Sequence, residues 1–231
     1  MIAIIDYGVG NLFSLRSSLA YLGLESKITG DPEEIRKADR IILPSVGAFG
    51  DAMQKLVDTG LVPLIREEVQ KKPLLGICLG MQLLFDESCE YGIHKGLGFV
   101  PGKIASLAED LGESPLKVPH IGWNSLKIVK DDPLFKYVKD GEYVYYVHSF
   151  YGKDCEASTL ATSEYGLTVT GVVRQGLVWG TQFHPEKSGD TGLRLLKAFG
   201  ELYGGRIWSC YLPSTCVTER LSVCFRAITI K

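Results

Sequence analysis

The sequence predicts an α/β fold with a mainly parallel central sheet flanked by helices and with antiparallel strands added in the second half. In the first half, short apolar runs alternate with amphipathic segments, as they do in β-α-β units. In the second half, closely spaced apolar runs are separated by turn residues. The length of 231 residues and the hydrophobic share of 45% suit one large domain with a substantial core.

The first half contains predicted strands that alternate with helices and loops. These strands are the apolar runs at residues 2–6, 24–28, 40–43 and 73–77. Asn11 precedes a leucine-rich segment and is a residue type that caps helices. Asp31 stands directly before Pro32, which is a typical start of a helix. We expect a loop over residues 44–50, a helix through residues 64–69, and parallel pairing of the strands with right-handed crossovers.

The second half changes character, because its predicted strands are separated by tight turns. These strands lie at residues 143–147, 158–162, 167–174 and 177–183. Residues 164–166 and 175–176 have the composition of hairpin corners. We therefore expect the strands to join the sheet in antiparallel order and a helix over residues 189–203 to close the fold.

The composition argues against several classes of function. A net charge of −2 gives no reason to expect a nucleic-acid or membrane partner, and no apolar run approaches the roughly 20 residues of a membrane span. Asp6 follows a very short apolar run, so we expect no signal peptide and a cytoplasmic location. The six cysteines form no CxxC pair and the four histidines lack close zinc-ligand spacing, so we expect neither a metal nor a cofactor.

Cys78 is the first candidate catalytic residue. It stands between glycines in the segment 76–80, after a predicted strand and before a helix expected to include residues 83–85. The glycines allow a sharp turn that presents the thiol above the carboxyl end of the sheet. N–H groups at a helix start favour a thiolate, and that of Leu79 can face an oxyanion. An isolated cysteine is more often a buried packing residue, so the assignment depends on this context.

A thiolate nucleophile needs a base, and the base needs a group that orients it. His184 ends a predicted strand, so it lies at the same carboxyl edge of the sheet as the cysteine. Pro185 ends the strand and lets Glu186 turn back towards the ring. Sequence position alone leaves alternatives for the base, although His184 is the one histidine with a carboxylate two residues away. These alternatives are His94, His120 and His148.

The two candidate motifs are GICLGMQLLF at residues 76–85 and TQFHPEKS at residues 181–188. Together they resemble the class-I, or triad, glutamine amidotransferases. A narrower resemblance, to the glutaminase subunits of imidazole glycerol phosphate synthase in histidine biosynthesis, is carried by three further segments. They are DYGVGN at residues 6–11, PHIGWN at 119–124 and YYVHSFY at 145–151. The resemblance covers about the first 204 residues.

The resemblance implies that the protein is a glutaminase. In that family Cys78 would attack the side-chain amide of glutamine and form a glutamyl thioester, which water then hydrolyses. His184 would deprotonate the thiol and protonate the leaving ammonia, with Glu186 orienting its ring. The residues that would contact the bound glutamine are Gln82, Ser149 and Phe150.

The resemblance also implies an oxyanion site made of backbone N–H groups at Val46 and Leu79, in the neighbourhood of Gly47. The family pattern in this loop is Pro-Gly-Val-Gly, whereas this chain has Ser45 in place of the first glycine. If the peptide must turn into a conformation that only glycine adopts readily, a Cβ at Ser45 would cost on the order of 1 kcal/mol or more.

The partner that the resemblance implies is the cyclase subunit of imidazole glycerol phosphate synthase, in a heterodimer. That subunit makes imidazole glycerol phosphate and the aminoimidazole carboxamide ribonucleotide. Trp123 and Asn124 would face it, and tryptophan is frequent among interface hot spots; the alternative is that Trp123 packs in the core. Two other functions stay open, a glutaminase of another amidotransferase pathway and a non-catalytic binding module on the same fold.

The chain divides into an amidotransferase domain over residues 1–205 and an atypical extension over residues 206–231. The extension holds three of the six cysteines and lacks clear helical periodicity. It matches nothing in the family, and we interpret it as a segment without a function; the alternative is a tail that binds a partner.

Overall fold

A computed structural model describes residues 1–203 of the protein. The expected domain boundary at residue 205 and the extension over residues 206–231 lie outside the described residues. Within residues 1–203, no helix has the length and apolar character that crossing a membrane requires.

An eight-stranded sheet forms the centre of the fold, with the strand order β2-β1-β3-β4-β14-β13-β12-β9. Its strands, numbered in chain order, are β1 (Ile2–Ile5), β2 (Ser26–Thr29), β3 (Arg40–Ser45), β4 (Leu74–Cys78), β9 (Lys127–Ile128), β12 (Thr159–Glu164), β13 (Thr168–Gln175) and β14 (Val178–Thr181). The strands from β2 to β14 in this order pair in parallel, and those from β14 to β9 pair antiparallel. The predicted fold class is confirmed.

Two smaller sheets pack beside the central one. One has the order β11-β7-β5-β6 and the other pairs β10 with β8. Their strands are β5 (Phe85–Ser88), β6 (His94–Lys95), β7 (Val100–Ser106), β8 (His120–Ser125), β10 (Tyr143–His148) and β11 (Phe150–Lys153). The expectation that residues 143–147 join the central sheet is therefore wrong. Burial alternates along β10, whereas a strand of the central sheet is covered on both faces.

The helices cover both faces of the central sheet. They are α1 (Leu12–Tyr21), α2 (Pro32–Lys37), α3 (Phe49–Asp58), α4 (Val62–Glu68), α5 (Leu79–Gln82), α6 (Leu107–Leu111) and α7 (Gly189–Glu201), with 3₁₀ turns at Pro133–Phe135 and Pro185–Lys187. The Asp31 cap is confirmed, because its carboxylate accepts a hydrogen bond from the N–H of Glu33 at 2.8 Å. Asn11 precedes α1 but makes no capping bond with its side chain, so that prediction is wrong.

Two predicted boundaries are also wrong. The expected loop at residues 44–50 is shorter, because β3 continues to Ser45 and α3 begins at Phe49. Phe49, Ala52 and Leu56 are buried along one side of α3, and this apolar stripe stabilises the helix despite the glycines at its start. The helix after Cys78 ends at residue 82, so it spans a single turn, and residue 85 already belongs to β5.

The strand β1 shows why the central strands are apolar throughout. Ala3 and Ile5 pack into one core cluster with residues of α2, α3 and α4. Ile2 and Ile4 pack into a second cluster with residues of α1 and α7 on the opposite face. Because successive side chains of a strand point to opposite faces, a sheet covered on both faces needs apolar residues at every position.

We expect Gly80→Ala to destabilise the fold. A Cβ at Gly80 would overlap the backbone oxygen of Leu43 in β3, and a backbone atom cannot move aside as the end of a side chain can. The variant should lose about 3 kcal/mol of unfolding free energy. Gly60→Ala is the control: Gly60 has φ +71 with no atom within 4 Å of the added Cβ, so it should lose only about 1 kcal/mol. Urea denaturation measures both, and equal losses would contradict the close approach.

Candidate active site

Cys78 lies at a sharp turn between β4 and α5. Its backbone has φ 55° and ψ −116°, a conformation that costs a residue with a side chain on the order of 1–3 kcal/mol. The turn depends on close packing of two glycines, since a Cβ at Gly76 would lie 2.6 Å from the backbone oxygen of Gly80. The turn lifts the thiol out of the strand at the carboxyl edge of the sheet.

Parallel pairing brings the other candidate segments to the same edge. Ser45 at the end of β3 pairs with Cys78, so the segment that contains Val46 and Gly47 begins beside the thiol. On the other side of β4, Thr181 of β14 pairs with Ile77, so the chain that leads to the candidate base continues past the thiol. Residues more than 100 positions apart in sequence therefore meet at one point of the sheet.

His184 and Glu186 form a buried pair. Nδ1 of His184 lies 2.9 Å from a carboxylate oxygen of Glu186, and their side chains are 5% and 3% exposed. The backbone N–H of His184 donates to the carbonyl of Tyr145 in β10 at 3.0 Å, which anchors the backbone that carries the ring. The 3₁₀ turn Pro185–Lys187 returns the carboxylate to the ring that precedes it.

The electrostatics of His184 favour a charged ring. Burial on its own lowers the pKa of His184, but the contacts with Cys78 and Glu186 outweigh burial and raise the pKa to about 9. The ring is therefore an imidazolium at neutral pH. Because a positive charge beside a sulfur stabilises the thiolate, the arrangement suits nucleophilic catalysis by cysteine.

Gln182 is a site residue that the sequence reasoning missed. It is fully buried, and its side-chain N–H group donates towards the sulfur of Cys78 at 4.0 Å. Its side-chain oxygen accepts a hydrogen bond from the amide of Gln82 at 3.1 Å. The available signal was a polar residue inside the apolar run that leads to His184.

The structure brings Gln82 and Phe150 together. The amide nitrogen of Gln82 donates to the carbonyl oxygen of Phe150 at 2.9 Å. Ser149 lies between β10 and β11, and its carbonyl accepts a hydrogen bond from the N–H of Leu107 at 2.9 Å. Gln82 thus connects the segment around Phe150 to Gln182, which lies beside the sulfur of Cys78.

The segment at Val46 and Gly47 lies directly after β3. Val46 is 44% exposed, and Gly47 has φ +103° with no atom within 4 Å of an added Cβ. Ser45 is a buried strand residue without a positive φ, so the strain considered for it does not arise in this conformation. Glu90, which the sequence reasoning also missed, holds the far end of the segment: its buried carboxylate accepts from the N–H of Phe49 at 2.6 Å.

The two candidate interface residues lie on opposite faces of β8. Trp123 is 55% exposed, so the alternative of a core position is wrong. The amide of Asn124 is on the opposite face of β8, where it donates to the carbonyl of Glu164 at 2.8 Å. Trp123 pairs with Tyr145 across the two-stranded sheet. The outer face of this sheet also carries Ile121 and Tyr143, which are 58% and 59% exposed.

The alternative bases occupy other environments. His148 bonds through one ring nitrogen to His120 at 3.0 Å and through the other to the carbonyl of Phe150 at 2.9 Å. Burial, with smaller contributions from the neighbouring rings of His120 and His184, lowers the pKa of His148 to about 3. His94 belongs to β6 in the four-stranded sheet. Among the residues described here, no group of three or more His, Cys, Asp or Glu side chains could hold a metal ion.

Comparisons with known proteins agree with this geometry. The family model for class-I glutamine amidotransferases matches residues 3–201. The chain belongs to this family. It is 48% identical over 204 residues to the imidazole glycerol phosphate synthase subunit HisH of Caldanaerobacter subterraneus subsp. tengcongensis, covering 87% of this chain and 98% of that one. The HisH subunit of Listeria monocytogenes is 48% identical over 203 residues, with 87% and 96% covered.

A solved structure supports the fold assignment independently. PurLQS from Thermotoga maritima superimposes with a TM-score of 0.66 at 18% identity, covering 86% of this chain and 96% of that one. Identity this low shows the fold alone. The close sequence relatives confirm both levels of the predicted resemblance, the class-I amidotransferases and, within them, the HisH subunits.

We expect the pKa of His184 to fall when the sulfur of Cys78 is removed. Cys78→Ala deletes one of the two contacts that hold this pKa at about 9, while burial continues to lower it. A pH titration of the ring signals by NMR should show the His184 midpoint moving below 9 in the variant. The signals of His94 serve as an internal control. An unchanged His184 midpoint would mean that the thiol does not contact the ring.

Proposed function

We propose that this protein is the glutaminase subunit of an imidazole glycerol phosphate synthase and hydrolyses glutamine with Cys78 as nucleophile. The observation that carries the proposal is the strained turn at Cys78 beside the buried pair of His184 and Glu186. The pair favours a positively charged ring beside the sulfur, and the turn presents the sulfur to a ligand. A charged neighbour and an accessible sulfur are the two requirements for an activated cysteine.

The proposed reaction has two steps. The Cys78 thiolate attacks the side-chain carbonyl carbon of glutamine, and the C–N bond breaks as the imidazolium of His184 gives its proton to the leaving ammonia. A water molecule then attacks the thioester, its proton passes to His184, and the C–S bond breaks to release glutamate. Glu186 keeps the ring oriented and stabilises its positive charge through both steps. Side chains and backbone groups supply all of these functions, so the proposal includes no cofactor.

Substrate contacts are assigned from the surroundings of the thiol. Backbone N–H groups at Leu79 and in the segment of Val46 and Gly47 stabilise the oxyanion. They lie near the sulfur because β3 ends beside it and α5 begins beside it. The polar groups near Phe150 hold the amino-acid end of glutamine. They belong to Gln82 and Ser149, and Phe150 contributes through its carbonyl, which accepts the hydrogen bond from the Gln82 amide.

The partner that we propose is the cyclase subunit, docked on the outer face of the sheet β8–β10. Ile121, Trp123 and Tyr143 are each more than half exposed on this face, and exposed apolar patches mark interaction sites. Ammonia in bulk water would be protonated and lost, so a glutaminase that feeds a cyclase needs a sealed contact with it. The cyclase then makes imidazole glycerol phosphate and the aminoimidazole carboxamide ribonucleotide.

The three cysteines of residues 1–203, among them the proposed nucleophile, are free thiols, which suits a reducing compartment such as the cytoplasm.

The amidotransferase domain is proposed to span residues 1–205, in line with the family match to residue 201. The intact triad argues against a non-catalytic module, and the HisH relatives argue against another pathway.

We expect Cys78→Ala to abolish glutamine hydrolysis. The side chain is small and sits at a turn, so the fold should be retained. An electrophilic glutamine analogue should label the parent protein at Cys78, as mapped by mass spectrometry of the labelled peptide. Cys89→Ala is the matched control, because Cys89 is an exposed thiol, and it should keep full activity and labelling. Activity that persists in Cys78→Ala, or a label on another cysteine, would contradict the assignment.

We expect Trp123→Ala to weaken binding to the cyclase subunit. A standard interface buries roughly 1,600 Å² in total, and loss of a central tryptophan typically costs about 2 kcal/mol or more. Titration calorimetry with the purified cyclase subunit measures the change. The control is Val57→Ala, which removes exposed apolar surface on α3, away from the sheet β8–β10. The heterodimer is ruled out if the parent forms no complex at micromolar concentration.

A further inference from the structure

A pair of buried histidines lies between the outer face of the sheet β8–β10 and the glutamine site. His120 of β8 and His148 of β10 are cross-strand partners, and Nδ1 of His120 lies 3.0 Å from Nε2 of His148. They occupy the inner face of the sheet, since Trp123 and Tyr145 point outwards. Neither histidine belongs to the triad, and the proposed reaction leaves both without a role.

The hydrogen bonds of the pair have one consistent direction. The carbonyl of Phe150 can only accept, so Nδ1 of His148 carries a proton and donates to it at 2.9 Å. In a neutral ring Nε2 of His148 is then an acceptor, and Nδ1 of His120 must donate to it. This leaves Nε2 of His120 as an acceptor, which faces the side-chain N–H group of Asn124 at 3.5 Å. The three residues form a donor chain that ends at Phe150.

Both rings have the neutral form that this chain requires. Burial lowers the pKa of His120 to about 4 and that of His148 to about 3. The charged ring of His184 disfavours a second positive charge on His148. His120 is also held between the rings of Tyr146 and Tyr165, with centroid distances of 4.8 and 3.9 Å, so its orientation is fixed by stacking.

The carbonyl of Phe150 links the two histidines to Gln82 by hydrogen bonds. Its oxygen accepts from His148 and from the amide nitrogen of Gln82, which uses both of its lone pairs. The second hydrogen of the same amide donates to Gln182. With both hydrogens engaged, the Gln82 amide cannot flip, and its oxygen is the atom that can accept a hydrogen bond from the ammonium group of glutamine.

We propose that His120 and His148 are positioning residues of the glutamine site, which hold the Phe150 carbonyl and through it fix the Gln82 amide for substrate binding. This inference rests on the proposed glutaminase function, because it takes glutamine as the ligand. The pair acts on binding of the substrate and not on the chemistry at Cys78. Its loss therefore raises KM and leaves kcat largely unchanged.

Two substitutions of His148 separate positioning from packing. His148→Asn places an amide nitrogen near the position of Nδ1 and keeps the donor to Phe150. His148→Gln has a similar volume but carries its amide at the position of Nε2, so that donor is lost. Tyr165→Phe is the control, since it retains the ring stacked on His120 and lies outside the donor chain.

The measurements are steady-state kinetics of glutamine hydrolysis in the presence of the cyclase subunit, and glutamine binding by calorimetry in a Cys78→Ala background. His148→Gln should raise both KM and Kd about tenfold, the typical effect of one buried hydrogen bond, with kcat within about threefold of the parent. His148→Asn should restore both constants to within about threefold, and Tyr165→Phe should leave them unchanged.

The inference is overturned if His148→Gln binds glutamine as tightly as its parent, or if the Asn and Gln variants lose binding equally. If His148→Gln does not fold, as judged by its melting temperature, His120→Phe tests the same chain, because a phenyl ring keeps the stacking but cannot donate. A parent that binds glutamine without hydrolysing it would contradict the proposed function alone, since the binding measurements still decide the role of the pair.

Discussion

The backbone turn at Cys78 is the constraint on which the rest of the site depends. A residue with a side chain holds φ 55° only when its surroundings enforce it, and here they are the close contact of Gly76 with Gly80 and the buried strands on either side. Core burial on both faces of the sheet stabilises the fold by far more than the turn costs. The strained residue is therefore Cys78 itself, and its conformation presents the sulfur at the edge of the sheet.

Burial and charge act in opposite directions on the site, and their balance sets its chemistry. Removing His184 from water alone would keep its ring neutral, yet the carboxylate of Glu186 and the sulfur of Cys78 reverse the shift. By contrast, His148 is buried beside a positive charge without a carboxylate on its ring, so it remains neutral. The pKa values of these two histidines thus differ because their neighbours differ, and that difference separates the proposed base, His184, from the hydrogen-bond donor, His148.

The sequence was informative wherever local pattern decides structure. Central strands buried on both faces read as continuous apolar runs, and the turn at Cys78 is marked by its glycines. Contacts between distant residues could not be predicted, because no local pattern identifies the partner: Gln182 bonds to Gln82, 100 positions away, and Glu90 bonds to Phe49, 41 positions away. The glycines before α3 similarly concealed a helix that tertiary packing stabilises.

The alternation of side chains along β8 gives the strand two roles at once. Its outer face carries Trp123, the proposed contact with the cyclase subunit, and its inner face carries His120, which belongs to the donor chain that ends at Phe150. Asn124 lies on the inner face with His120 because both are an odd number of positions from Trp123. A shift of this strand on docking would therefore move both faces together. Coupling between the proposed cyclase contact and the proposed glutamine site would then need only the rigidity of one two-stranded sheet, not a long path through the core.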